Sequence, residues 1–105
     1  MPEACRVGDQ TFGICDDHHK CCPHSRGGKC TSGSANVFVN GKAAVRAGDA
    51  GDCRCAHNAE FELHGGSATV YINGRSAIRI ADAAGCKKCD QAGQVCSGSR
   101  DVMIG

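Results

Sequence analysis

The chain has 105 residues, a formal net charge of +1 and only 4% aromatic residues. That length supports one domain, residues 1–105, and the interspersed acids and bases exclude a nucleic-acid stripe or a membrane patch. Large apolar residues are scarce and Gly supplies 15 positions, so metal, disulfides or a partner must supplement a thin core, and ten Cys and five His are the supply.

The chain opens on Met-Pro-Glu-Ala-Cys, which does not begin a secretory signal, and no apolar run approaches a membrane span. We therefore expect synthesis in the cytoplasm. Residues Ala4 to Asp9 read A-C-R-V-G-D. A polar arm follows over residues 10–32, carrying Cys15, His18-His19, Cys21-Cys22-Pro23-His24 and Cys30. At most one turn of helix is expected there, in residues 16–22. His18-His19 suits a solvated loop as well as a metal ligand or proton shuttle.

Residues 33–49 read G-S-A-N-V-F-V-N-G-K-A-A-V-R-A-G-D. Apolar alternation on both sides of Asn40-Gly41 predicts a β-hairpin, because both residues tolerate the positive φ of a type I′ turn. With a two-residue loop, Val37, Val39, Ala44 and Arg46 share one face, and Phe38, Ala43, Val45 and Ala47 the other. Neither face is clearly polar, so cover on both sides is expected. A second arm, 50–65, carries Cys53, Cys55, His57 and His64. Residues 66–82 then read G-S-A-T-V-Y-I-N-G-R-S-A-I-R-I-A-D, a near copy of 33–49 at a spacing of 33, with its turn at Asn73-Gly74. A third arm, 83–97, carries Cys86, Lys87-Lys88, Cys89 and Cys96, and Gly98 to Gly105 read G-S-R-D-V-M-I-G.

That last segment repeats the first half of the unit, and Ala4–Asp9 repeats its second half. A linear solenoid has no reason to divide a repeat in this way. A closed ring does, because it must be opened somewhere. The sequence therefore predicts three pseudo-threefold β-hairpins with the chain ends side by side. Val37, Val39, Val70, Ile72, Val102 and Ile104 are expected in or near its broad base. The pairs Arg6–Asp9, Arg46–Asp49 and Arg79–Asp82 read as structural bridges between neighbouring hairpins rather than a reactive array.

The arms, short of β-branched residues, are expected to be loops tied down by bonds of their own. Closure would bring their Cys and His to one axis, where thiolates and imidazoles make a tetrahedral zinc site. Cys53 and Cys86 each lie four residues beyond a repeat Asp. The C-x-x-C of Cys86 and Cys89 and the C-x-C-x-H of Cys53, Cys55 and His57 have ligand-like spacing. Cys30, His64 and Cys96 are expected to be equivalent near the arm ends. Metal alone, metal with one or two disulfides, and disulfides alone all remain open.

The two full units resemble PAAR repeats, named for a Pro-Ala-Ala-Arg tetrapeptide. The counterparts here run Lys42-Ala43-Ala44-Val45-Arg46, Arg75-Ser76-Ala77-Ile78-Arg79 and Pro2-Glu3-Ala4-Cys5-Arg6. The stretch C-P-H-S-R-G-G at residues 22–28 resembles the family's Cys-Pro, His and Gly-Gly arm. The resemblance covers essentially the whole chain. It implies a small all-β cone whose Cys/His-rich arms converge on a structural zinc near the vertex. By position it implies Cys53 and Cys86 as ligands, with His24 after Cys22-Pro23, and either His64 or His57 as the remaining imidazole. The sulfur exceeds what family members need.

It further implies a sharpened tip that caps the homotrimeric β-helical spike of a contractile injection machine, such as a type VI secretion system or a phage tail, one tip per trimer. Effector or cargo proteins are possible companions, membrane contact would be transient, and export would occur at the apparatus or on a virion tail. No enzymatic role is expected. Two rivals are a catalytic zinc enzyme, for which Glu60 and Glu62 are the only nearby long carboxylates, and a secreted disulfide-rich binding module.

Overall fold

A computed structural model of the chain describes residues 2–15, 24–53, 59–86 and 91–104. Among them there is no helix; every regular element is a strand. Asn-Gly makes the two tight hairpins, as expected. Strands β3 (Phe38–Val39) and β4 (Lys42–Ala43) flank Asn40 and Gly41, at φ of 53° and 77°. Strands β7 (Tyr71–Ile72) and β8 (Arg75–Ser76) flank Asn73 and Gly74, at 53° and 78°. Both turns need left-handed backbone at successive residues, which Asn and Gly tolerate.

The chain ends make the matching third pair. Glu3 bridges Met103, and the N–H groups of Ala4 and Ile104 donate to the carbonyls of Val102 and Pro2 at 2.9 and 2.8 Å. The bridge matches Phe38↔Ala43 and Tyr71↔Ser76 in register. Each pair opens in the same way. The N–H groups of Ser34, Ser67 and Ser99 donate to Ala44, Ala77 and Ala4. Their hydroxyls in turn accept from the N–H groups of Val37, Val70 and Val102.

The three pairs join in a ring. The N–H of Cys5 donates to Ile78, that of Ile78 to Val45 and that of Val45 to Cys5, over 2.9, 3.1 and 3.1 Å. Each strand thus satisfies the next, and no edge is left open at this level.

The arms hold the largest sheet, which differs from the expectation of loops. Strands β1 (Gln10–Cys15), β2 (His24–Lys29), β5 (Ala50–Cys53), β6 (Ala59–His64), β9 (Ala83–Cys86) and β10 (Gln91–Val95) form a six-stranded antiparallel sheet in the order β2-β1-β10-β9-β6-β5. A bridge between Cys30 and Gly51 draws the outer strands together, so the sheet is nearly closed and barrel-like. Gly and Ala are poor strand formers in isolation. Here Gly51 admits bulk from its direct partner on the neighbouring strand. A Cβ on Gly51 would meet the Phe61 ring, and Phe61 is buried.

The core has two parts. Inside the barrel lie Cys5, Cys30, Val45, Phe61, Leu63, Ile78, Ala84 and Val95. Beneath it Ala4, Ala44, Ile72, Ala77 and Ile104 form a second cluster, with Val37, Val39 and Val102 packed against it. Five of the six expected base residues are therefore there, whereas Val70 is exposed. Cover on both hairpin faces does not hold either: Phe38, on the opposite face from Val37, is 60% exposed.

Candidate docking face and candidate metal centre

Two ends of the molecule carry chemistry, on opposite sides of the Cys5–Val45–Ile78 ring. At the hairpin end, each turn Asn is clasped by its neighbour. Asn40 Oδ1 accepts from Ser99 Oγ and Arg6 Nη1, and its Nδ2 donates to Asp101. Asn73 Oδ1 likewise accepts from Ser34 Oγ and Arg46 Nη1, and its Nδ2 donates to Asn36.

Each Arg is itself fixed by the Asp three residues on, through its Nε and a second nitrogen. Arg46 holds Asp49 at 2.9 and 3.0 Å, Arg6 holds Asp9 at the same distances, and Arg79 holds Asp82 at 3.1 and 3.0 Å. These ion pairs lie within one unit, not between hairpins as the repeat suggested. The Asp closes the turn that feeds the next strand, accepting the N–H of its own Arg. It is the Arg-to-Asn reach that joins neighbours. Burial pushes the Asp9 and Asp49 carboxyls up, but the side-chain and backbone hydrogen bonds from Arg6 and Arg46 outweigh it and hold both below the ordinary range.

With the turns clasped, one side chain of each hairpin points away from the body at the same register. Phe38 and Tyr71 are each 60% exposed, and Met103 is 43% exposed. Single exposed hydrophobes are ordinary on a protein surface; three at matching positions are a patterned face. The repeat held the signal, since Phe38, Tyr71 and Met103 align once the units are stacked, but the expectation of cover on both faces hid it.

No protein-family model matches the chain, and no curated protein matches it.

At the other end, the barrel strands run outward and deliver their Cys and His backbones to one rim. Cys15 pairs with His24, Cys53 with Ala59, and Cys86 with Gln91, each at the far end of its hairpin. Of the expected ligands, the backbones of His24, Cys53 and Cys86 therefore reach this rim. Cys22, His57 and Cys89 lie outside the described residues, as does the single helical turn expected in residues 16–22. His64 stands apart from the rim. It ends β6 on the hairpin side, opposite Ala83, about 17 Å along the strand from Ala59. Its ring is exposed, with Nδ1 3.9 Å from Glu62. Among the described residues no three His, Cys, Asp or Glu side chains converge on one point.

The arm ends also align differently from the expectation. The N–H groups of Gly8, Gly48 and Ala81 donate to Cys30, Leu63 and Val95, so Cys30 is equivalent to these two core residues. Thr31 is the residue level with His64 and Cys96. Cys30 faces the core, and Cys96 is exposed.

Proposed function

We propose that this chain is a PAAR-type spike tip: a threefold pseudosymmetric cone that caps a homotrimeric β-helical spike protein, one tip per trimer. The observation that supports this best is the outward set of Phe38, Tyr71 and Met103 at one register of three hydrogen-bonded hairpins. A trimer presents the same surface three times. A single chain that repeats one apolar side chain three times around a ring meets that surface, while narrowing to one point at its other end. Sealing such an end would satisfy the trimer's strand edges and bury apolar area, on the order of 800 Å² per partner in specific interfaces.

The donor chemistry at the far rim fits a structural zinc ion, since soft thiolates and imidazoles suit it. His24, Cys53 and Cys86 would hold it, with Cys22, His57 and Cys89, each two to four residues from one of them in sequence, as further donors. Zinc there would supply rigidity, because its binding free energy adds directly to that of folding. His64, at the other end of β6, lies outside that set. The function is mechanical, without turnover: sharpen and seal the spike, assist membrane puncture in a contractile injection machine, and carry attached cargo or effector proteins.

The test is binding of the trimeric spike protein encoded in the same gene neighbourhood, measured by calorimetry. Phe38→Glu and Tyr71→Glu place a charge in the proposed contact and are expected to weaken binding at least tenfold each, with the fold unchanged by circular dichroism. Unaltered affinity in both variants would contradict the docking face.

A further inference from the structure

Cys5 and Cys30 meet inside the barrel. Their sulfurs are 3.5 Å apart, and each residue is 1% exposed. In the other two units the same positions hold Val45 with Leu63 and Ile78 with Val95, all within one apolar cluster. Packing here asks only for aliphatic volume. Cysteine stands at both positions in the one unit that the chain ends interrupt, and at neither position in the others.

That unit has a particular weakness. Its two halves, residues 2–9 and 98–104, lie far apart in the sequence and are held together by hydrogen bonds rather than by a shared turn. The first of them nevertheless supplies Cys5 to the hydrogen-bonded ring and Arg6 to the Asn40 clasp. Backbone bonds already hold the two cysteines in adjacent segments: the N–H of Gly8 donates to Cys30, and that of Cys30 to Asp9, both at 2.9 Å.

We propose that Cys5 and Cys30 are a disulfide site, whose bond staples the N-terminal half-unit to the end of β2. Bond formation asks the sulfurs to approach from 3.5 Å to about 2.05 Å. The staple closes residues 5 to 30 into a covalent loop and so restricts the unfolded chain.

The oxidant is a low-molecular-weight disulfide such as oxidised glutathione. One cysteine thiolate attacks it, forming a mixed disulfide and releasing one small thiol. The second cysteine thiolate attacks the cysteine sulfur of that intermediate and releases the other. The two cysteine protons leave with the two small thiols; the protein loses two electrons and the small disulfide gains them. The exchange belongs to the folding or transiently open chain, because in the folded core the Cys5 thiol is held protonated by its hydrogen bond with Cys30 and by burial. The same burial then shields the finished bond from reductants. None of this depends on the spike-tip reading.

The test uses the full chain, folded in a glutathione buffer with the oxidised form in excess. It is then unfolded, blocked with iodoacetamide and digested with trypsin. Cleavage after Arg6, Lys29 and Lys42 gives residues 1–6 and 30–42, each with a single cysteine. The two peptides are expected joined, two hydrogen atoms lighter than their sum, and separate after reduction. Oxidation is also expected to raise the urea midpoint, and the double variant Cys5→Val, Cys30→Leu, which restores the side chains of another unit, to lose that rise. Alkylated, unjoined peptides from the folded oxidised protein would overturn the assignment. So would either cysteine joined elsewhere, or the wild-type rise persisting in the double variant.

Discussion

The hydroxyl of Ser99 donates to Asn40 Oδ1 while accepting the N–H of Val102, so one fully buried side chain ties the C-terminal segment to a hairpin turn far away in sequence. Removing that hydroxyl takes the acceptor from the Val102 N–H and leaves Asn40 Oδ1 with Arg6 as its donor. Ser99→Ala is expected to cost about 1–3 kcal/mol, read from the shift in urea midpoint at constant slope. Asn40→Ala removes the other half of the clasp, and the double variant is expected to lose less than the sum of the two single losses. Strict additivity would show that the clasp does not couple the two.

Acid should weaken the fold through two carboxylates. Asp9 and Asp49 titrate below their ordinary value of 3.8 when folded. Groups of that kind contribute stability that is complete above the unfolded value and lost as pH falls through the folded one. Stability is therefore expected to drop below about pH 4. Asp49→Asn breaks a carboxylate that is only 5% exposed and also receives Arg75. It is expected to cost about 1.5–3 kcal/mol at neutral pH and to flatten the acid limb. Chemical denaturation at a series of pH values measures both.

Ala81 is the odd residue in its set. Gly8 and Gly48 occupy the equivalent turns at φ of 95° and 88°, and Ala81 sits at 76°. A side chain there strains the backbone, and Ala81 is exposed, so its methyl contributes little packing in return. Ala81→Gly is expected to stabilise by about 1 kcal/mol, and the reverse change, Gly48→Ala, to destabilise by a similar amount through its left-handed backbone. Thermal unfolding of both variants checks the pair of signs.

If zinc braces the rim, metal and stability must fall together. Cys86→Ser is expected to lower bound zinc, measured by mass spectrometry of the native protein, and the melting temperature by several degrees. A strong chelator should reproduce that loss in the wild type. The His64→Ala variant, changed at the hairpin end of β6, is expected to keep its zinc.

The hairpin end was legible in the sequence because each repeat states its own geometry. Asn-Gly demands left-handed backbone at two successive residues, and the divided third copy demands that the termini meet. The barrel was far less legible. Segments such as A-A-G-C and Q-A-G-Q-V have almost no strand propensity of their own. Their pairing is supported by the strands on either side, and Phe61 fills the space that Gly51 leaves open. Cys30 shows the same limit: its place beside Leu63 and Val95 is set by the bond from Gly8, one residue off the spacing that Cys and His alone suggested. The exposed trio could have been found by stacking the copies and asking which apolar position has no neighbour to cover it.

The central claim is that a single chain imitates a trimer's end. Light scattering of the purified chain mixed with its trimeric spike protein measures this directly. A complex of one tip on three spike chains is the predicted mass, whereas three tips on three spike chains, or no complex, would contradict it.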